Sequence, residues 1–233
     1  MNIRPVRTRV FKEGEDLFAF ITRHVPKLKE GSVLAVTSKI VALSEGRTAF
    51  CEDEVTREKI IRSESEFAIP TKWVWLTIKD GAVMANAGTD ESNADGKLVL
   101  LPKDSFKSAN ALCRKLKKKY RIKKLGVLIT DSRTIPLRAG VTAVALGYAG
   151  FKGVRDYRGK RDIFGRLLYF TQVNVADELS AAAALLMGEG SEQRPLAVIE
   201  SAPVEFIAKV NREETYIPLE DDMYRPLFLH RKI

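Results

Sequence analysis

The sequence predicts an α+β fold, a mixed α/β arrangement that is not built from regular β-α-β repeats. Two apolar runs, SVLAVT at 32–37 and PLAVIES at 195–201, are typical of buried strands, whereas NVADELSAAAALLM at 174–187 is the clearest helix. The chain contains neither GxGxxG nor GxxxxGK[ST], so we expect neither a Rossmann nor a P-loop fold.

Helical and extended patterns are interspersed in the first half of the chain. The segment EDLFAFITRHV at 15–25 places its apolar residues on one helical face, and the charged segment 53–66 is also predicted to be helical. KWVWLTIK at 72–79 has the alternation of a strand. Asp80-Gly81 then predicts a hairpin turn, which returns through AVMANA.

The chain after residue 96 contributes three more strands and another helix. KLVLL at 97–101, GVLIT at 126–130 and VTAVALGYAG at 141–150 are predicted strands. A helix follows the first of them, with Asp104 or Ser105 as its N-cap.

No repeat or low-complexity linker divides the chain. We therefore predict one domain over 1–233, with a less regular subregion at 201–233. No apolar run approaches the roughly 20 residues of a membrane span, and the N-terminus carries no apolar signal region. These observations predict a cytoplasmic protein without membrane contact.

The net charge of +9 suits an anionic partner such as a nucleotide or a phosphorylated metabolite. Much of the excess lies in RKLKKKYRIKK at 114–124, which we interpret as the solvated face of a helix that leads into a strand. A nucleic-acid- or anion-binding protein that uses this stretch is the alternative. Base stacking needs several aromatic residues, and Tyr120 stands alone, so we do not expect a nucleic-acid partner.

Cysteine and histidine chemistry is not indicated. Cys51 and Cys113 are the only cysteines, and neither has metal-ligand spacing, so we expect two idle thiols. His24 and His230 are far apart in the sequence, which argues against a histidine metal site or a Ser-His-Asp triad.

Three polar segments follow predicted strands or helices. They are the acidic stretch of MANAGTDESNADG at 84–96, Thr130-Asp131-Ser132, and the MGEGSE segment at 187–192. Their oxygens are the ligand type that Mg²⁺ and Mn²⁺ prefer, and two such ions could be held against a triphosphate. Asp-rich loops also form ordinary Asx turns, and the threonine-aspartate-serine run could simply end a strand, so both interpretations stay open.

Basic groups could bind the anionic partner of such a site. Lys39 follows a predicted strand, where a lysine suits phosphate oxygens. RDYRGKRDIFGR at 155–166 is either a clamp for an anionic substrate or a surface hairpin with crossed salt bridges.

Taken together, several segments resemble the coenzyme F420-0:γ-glutamyl ligase family. The segments are VLAVTSKIVALSEGR (33–47), ANAGTDESNADG (85–96), LPKDSFKSA (101–109), GVLITDS (126–132), PLRAGVTAVALGYAGF (136–151), DYRGKRDIFGR (156–166) and ADELSAAAALLMGEG (176–190). They occur in the family's order over most of 33–200.

The resemblance implies an enzyme that joins L-glutamate to a carboxylate of coenzyme F420-0 by an amide bond. GTP would drive the reaction through an acyl phosphate, with two Mg²⁺ or Mn²⁺ ions and potassium as an optional further ion. The wider family includes ligases assigned to folate-like acceptors, so that acceptor class is an alternative. The resemblance also implies a homodimer with a mixed α/β fold.

Site residues follow from the same resemblance. Asp90 and Asp131 match the catalytic aspartates that hold one metal ion, while Ser132 and Glu189 match ligands of a second ion. The residues that match nucleotide-binding positions are Ser38, Lys39, Asn93, Met187, Gly188, Glu189, Gly190 and Ser191, and 8–11 falls where the family has another such segment. The substrate-binding candidates are Arg138, Arg155 and Arg158.

The chain departs from the family pattern at three places. Leu43 stands where the family usually has a lysine, and Thr134-Ile135 replaces a Gly-Arg pair before a proline. The sequence TRVF at 8–11 replaces a proline-containing segment. These departures bear on which nucleotide and which acceptor the chain would use.

Overall fold

The computed structural model of the protein describes residues 1–229, so His230 lies outside the described residues. The strands are β1 (Asn2–Val6), β2 (Ser32–Thr37), β3 (Thr48–Ala49), β4 (Phe67–Pro70), β5 (Trp75–Lys79), β6 (Ala82–Ala85), β7 (Leu98–Val99), β8 (Leu125–Thr134), β9 (Val141–Ala149), β10 (Val154–Asp156), β11 (Gln172–Asn174) and β12 (Leu196–Glu200). The helices are α1 (Leu17–His24), α2 (Ser38–Ser44), α3 (Glu54–Ser63), α4 (Ser105–Tyr120), α5 (Val175–Met187) and α6 (Arg225–Leu229), with a 3₁₀ turn at Asn86–Gly88.

A five-stranded sheet with the order β1-β12-β2-β8-β9 forms the centre of the fold. Only β2 and β8 pair in parallel, while β1 with β12, β12 with β2, and β8 with β9 are antiparallel. The mixed sheet and its helices confirm the predicted α+β class.

Two hydrophobic layers cover the two faces of this sheet. Because side chains alternate along a strand, Leu34 and Val36 of β2 face one layer and Val33 and Ala35 face the other. Helices α1, α2 and α4 contribute to the first layer, and α5 contributes to the second. A strand buried on both faces explains why 33–36 is an uninterrupted apolar run in the sequence.

Strand β8 is longer than the sequence indicates. The prediction ended it at Thr130 and placed Asp131-Ser132 in a loop, but the strand continues to Thr134. The reason is that β9 still pairs with this part, including Asp131 with Val144, after β2 has ended. Asp131 and Ser132 therefore lie in a hydrogen-bonded strand, which is stiffer than a loop.

A small sheet of β4, β5 and β6 packs beside the end of β8. Its middle strand starts at Trp75, whereas the sequence indicates residue 72, because Thr71 and Val74 close a turn by three hydrogen bonds. The turn at Asp80-Gly81 is found as predicted. The β4 strand was not predicted.

The basic stretch 114–124 lies at the end of α4, as predicted. Leu112, Cys113 and Leu116 bury one face of the helix, and Lys117 to Lys119 lie in its last turn, where cations favourably oppose the helix dipole. Both cysteines are free thiols. Within residues 1–229, no helix combines the length and the apolar character that a membrane crossing requires.

A buried tyrosine of the central sheet forms a hydrogen bond to the segment that follows β12. Tyr148 is 1% exposed, and its hydroxyl donates to Glu214 Oε1 at 2.7 Å. The backbone N–H of Gly153 donates to the same oxygen at 2.7 Å. Burial and the hydrogen bond to Glu214 raise the pKa of Tyr148. The carboxylate of Glu214 therefore links the C-terminal segment to β9.

Replacing Tyr148 with phenylalanine should lower the free energy of unfolding by about 2 kcal/mol, the range for a hydrogen bond to a charged group. Urea denaturation of the two proteins measures the difference. Tyr169→Phe is the matched control, since that ring is 66% exposed. Equal stabilities of Tyr148→Phe and the unsubstituted chain would show that this contact does not hold the segment.

Candidate functional site

The site forms where the parallel pair β2 and β8 reaches its carboxyl end. Thr37 and Thr130 are the last paired residues, and Ser38 and Asp131 follow them directly. Both strands run in the same direction, so these two side chains leave the sheet at one edge. Ser38 Oγ donates a hydrogen bond of 2.8 Å to Asp131 Oδ1.

Lys39 connects this edge to the acidic segment. Its ammonium donates to Asp90 Oδ2 at 2.7 Å and to Ser92 Oγ at 3.1 Å, and it also contacts the Ser92 carbonyl oxygen. The Ser92 hydroxyl and backbone N–H both donate to the Asp90 carboxylate, each at 2.7 Å. The backbone of Asp90 is itself held by a bridge to Val99. The carboxylate of Asp90 is thus fixed from several sides.

The segment after α5 joins the same cluster. Ser132 Oγ lies 2.8 and 2.9 Å from the two carboxylate oxygens of Glu189, to which it donates. Asn93 Nδ2 donates to the carbonyl oxygen of Gly190 over 3.4 Å. The candidate metal and nucleotide residues from four separate stretches of sequence therefore come together.

Glycines shape the turn that carries Glu189. Gly188 ends α5 with φ of 84°, and a Cβ there would lie 2.4 Å from the Glu192 side chain. Glu192 folds back and accepts a hydrogen bond from Gly190 N at 2.8 Å. The Met187 side chain is buried in the core, so only its backbone can face a nucleotide, whereas Ser191 is exposed.

The two aspartates differ in their electrostatic surroundings. Burial raises the pKa of Asp131, and the charge of Asp90 adds to the effect, while Arg133 and the Ser38 hydroxyl oppose it. Burial also acts to raise the pKa of Asp90, but hydrogen bonds from Lys39 and Ser92 outweigh burial and leave that pKa lowered. The pKa of Asp90 is therefore lowered by its partners, whereas the pKa of Asp131 is raised, and a further cation beside Asp131 would favour its charged form.

The donor chemistry fits a divalent cation. Asp90, Asp131 and Glu189 offer carboxylates and Ser132 offers a hydroxyl, which are the hard oxygen ligands of Mg²⁺ and Mn²⁺. In this structure the ammonium of Lys39 is the cation that pairs with Asp90. Over residues 1–229, no group of three or more His, Cys, Asp and Glu side chains has an arrangement that could hold a metal ion.

Two of the three arginine candidates make contacts elsewhere, and the third is exposed. Arg155 donates to the carbonyl oxygen of Pro203, and Arg158 pairs with Asp156 at 2.7 Å. Arg138 is exposed in the connection between β8 and β9. The structure does not bring these arginines to the cluster, and their substrate role stays a prediction.

The segment 8–11 and Ser92 add further contacts around the cluster. The segment 8–11 lies against the segment after α5, where Thr8 N donates to the carbonyl oxygen of Gln193 at 2.9 Å. Ser92, which the sequence analysis did not assign, contacts both Asp90 and Lys39. Its position two residues after an aspartate is a recognisable Asx-turn pattern that could have identified it.

Comparisons with known proteins find related chains over most of the sequence. A family profile described as F420-0:Gamma-glutamyl ligase matches residues 5–201. A protein from Methanococcus maripaludis named coenzyme F420:L-glutamate ligase is 35% identical over 215 residues, 91% of this chain and 86% of that protein. Proteins of the same name from Archaeoglobus fulgidus and Methanopyrus kandleri are 33% and 34% identical. Those two alignments cover 93% and 88% of this chain, and 92% and 89% of those proteins.

Replacing Lys39 with methionine should raise the pKa of the Asp90 carboxyl. The variant loses the hydrogen bond and the charge that lower this pKa, while burial continues to raise it. The measurement is an NMR pH titration of the Asp90 side-chain carbon in metal-free buffer. Lys97→Met is the control, because Lys97 pairs with Glu13 instead. An unchanged Asp90 titration in Lys39→Met would contradict the proposed electrostatic link.

Proposed function

Since this chain belongs to the F420-0:gamma-glutamyl ligase family, we propose that it joins L-glutamate to a carboxylate of coenzyme F420-0, with GTP as the energy source. The observation that carries the proposal is the pairing of Lys39 with Asp90 next to the hydrogen bond between Ser38 and Asp131, at the end of the parallel strands. A lysine beside aspartate carboxylates is a combination that suits a metal-bound nucleotide.

The proposed reaction has two steps. An oxygen of the acceptor carboxylate attacks the γ-phosphorus of GTP, and GDP leaves, which forms an acyl phosphate. The amine of glutamate then attacks the acyl carbon, so that the C–N bond forms, inorganic phosphate leaves and the amine loses a proton. Neither step needs a covalent protein nucleophile, because phosphoryl transfer depends mainly on positioning and electrostatics.

Each residue of the cluster has a role in this proposal. Lys39 binds phosphate oxygens, and Asn93 with the backbone of Gly188 and Gly190 orients the nucleotide. Asp90 and Asp131 would hold one divalent ion, and Ser132 with Glu189 would hold a second. When bound, the ions neutralise the negative charge that accumulates on the phosphate oxygens.

We also propose a homodimer. Several large apolar side chains after β10 are strongly exposed, including Ile163 at 91%, Phe164 at 88% and Phe170 at 93%. Large apolar side chains that are exposed close together in the sequence favour a protein interface. A second copy of the chain is the occupant that this proposal assigns to them.

The ligase activity should appear as one added glutamyl residue in the mass of the acceptor. The reaction contains purified protein, F420-0, L-glutamate, GTP, Mg²⁺ and Mn²⁺, and parallel reactions omit glutamate or GTP. An adduct only in the complete mixture supports the proposal. If folded protein gives no adduct with F420-0 but gives one with a folate, the alternative acceptor class is correct.

Asp131→Asn should reduce turnover at least about 100-fold, as for other groups that stabilise developing charge. Asparagine keeps the shape of the aspartate side chain and can still accept the hydrogen bond from Ser38. Circular dichroism and thermal unfolding should therefore stay close to those of the unsubstituted chain. Asp95→Asn is the matched control, since Asp95 is exposed in the same acidic segment and has no assigned role. Full activity of Asp131→Asn would remove this carboxylate from the reaction.

A further inference from the structure

A cavity of about 940 Å³ lies next to the residue cluster. Its walls come from the β5–β6 hairpin, the ends of β8 and β9, the first turns of α4 and α5, and 212–216 of the C-terminal segment. This volume is in the range of small-molecule sites, which are commonly 300–1,000 Å³. None of the site residues assigned from the sequence lines it.

Arg133 is the unusual group in the wall of this cavity. The residue is 7% exposed, and its Nε and its NH2 nitrogen are both buried without a hydrogen-bond partner. The carboxylate of Asp131 is 3.9 Å from NH2, which is too far for a hydrogen bond. A buried cation with unused donors is costly, because its lost hydration is not replaced.

The other cations of the wall are engaged or lie at the rim. Arg212 pairs with Asp104 at 3.1 Å, and Lys79 pairs with Glu64 at 2.8 Å. Lys103 is exposed. Arg133 is therefore the buried cation of the wall that still offers donors.

The charge of the lining selects the kind of anion. Six carboxylate side chains and four cationic side chains line the cavity, so its overall field does not favour a highly charged ligand. A guanidinium presents parallel N–H donors that match the two oxygens of a carboxylate. A singly charged carboxylate thus fits better than a phosphate.

We propose that this cavity is a substrate pocket in which the Arg133 guanidinium binds a carboxylate of one of the two organic substrates. The inference rests on the proposed function, which supplies two such substrates, glutamate and the acceptor. Asp131 and Arg133 are two residues apart in β8 and therefore project on the same side of the strand. A substrate carboxylate bound to Arg133 therefore lies beside Asp131, which the proposed function assigns to a metal ion.

The test is a thermodynamic cycle between the arginine and the ligand carboxylate. Isothermal titration calorimetry measures binding of L-glutamate and of F420-0 to the unsubstituted chain and to Arg133→Met, with Mg²⁺ and a non-hydrolysable GTP analogue present. The same titrations use the primary amides, namely glutamine, isoglutamine and the amide of F420-0. Arg133→Lys, which keeps the charge but not the planar fork, is the second variant.

We expect Arg133→Met to bind one of the two acids at least about 30-fold more weakly than the unsubstituted chain does, as for truncation of one partner of a buried charge pair. The corresponding amide should bind the unsubstituted chain and Arg133→Met within about twofold, the limit of simple additivity. The affinity of Arg133→Lys for that acid should lie between the affinities of the unsubstituted chain and of Arg133→Met. The acid that loses affinity identifies the substrate, and Arg114→Met, on the exposed side of α4, should leave all affinities unchanged.

The outcomes separate this inference from the proposed function. If the unsubstituted chain forms the glutamyl adduct but Arg133→Met binds both acids normally, the function stands and the inference fails. If the unsubstituted chain prefers neither acid over its amide, the inference fails without use of any variant. If it binds neither substrate and forms no adduct, both fail.

Discussion

The parallel pairing of β2 with β8 is the constraint on which the candidate site depends. Parallel neighbours end at the same edge of a sheet, so Ser38 and Asp131 meet there although 92 residues separate them. Parallel strands also require a long crossover connection. In this chain the crossover contains the small sheet, the acidic segment and α4, which is how Asp90 returns to Lys39.

The buried charges at this edge need support from the rest of the fold. Arg133 is buried and Asp131 is half-buried beside it, and two nitrogens of Arg133 have no hydrogen-bond partner. Two hydrophobic layers offset this cost, because the alternating side chains of β2 are fully buried on both faces of the sheet. A rigid ladder through β8 and β9 then keeps the charges at fixed positions, as a preorganised site requires.

Much of this arrangement could be predicted from local patterns, and the rest depends on contacts that are distant in the sequence. The apolar run at 32–37 and the capped helix at 174–187 identify their elements directly, and the predicted family and fold class are confirmed. The extension of β8 could not be predicted, because it depends on pairing with β9 and not on the polar residues themselves. The single-domain prediction and the assigned roles of the site residues stay predictions.

Arg133 shows the limit of sequence analysis most clearly. In the sequence it is one arginine among many in a basic chain, and only burial without hydrogen bonds makes it a candidate. No local pattern indicates that this arginine is buried, since its surroundings come from α5, β9 and the C-terminal segment together. The unpredicted residues are therefore those whose role depends on their surroundings and not on their own motif.

The wall of the cavity extends beyond the part of the chain that matches the family. The cluster around Lys39 and Asp131 lies within residues 5–201, which match the family, whereas Arg212 and Tyr216 of the cavity wall lie beyond that range. Glu214, between them, holds this wall to the sheet through Tyr148. A change in 212–216 can therefore reshape the cavity without disturbing the nucleotide end. We therefore expect the choice of carboxylate substrate to depend on Arg133 and on the segment that closes the cavity around it.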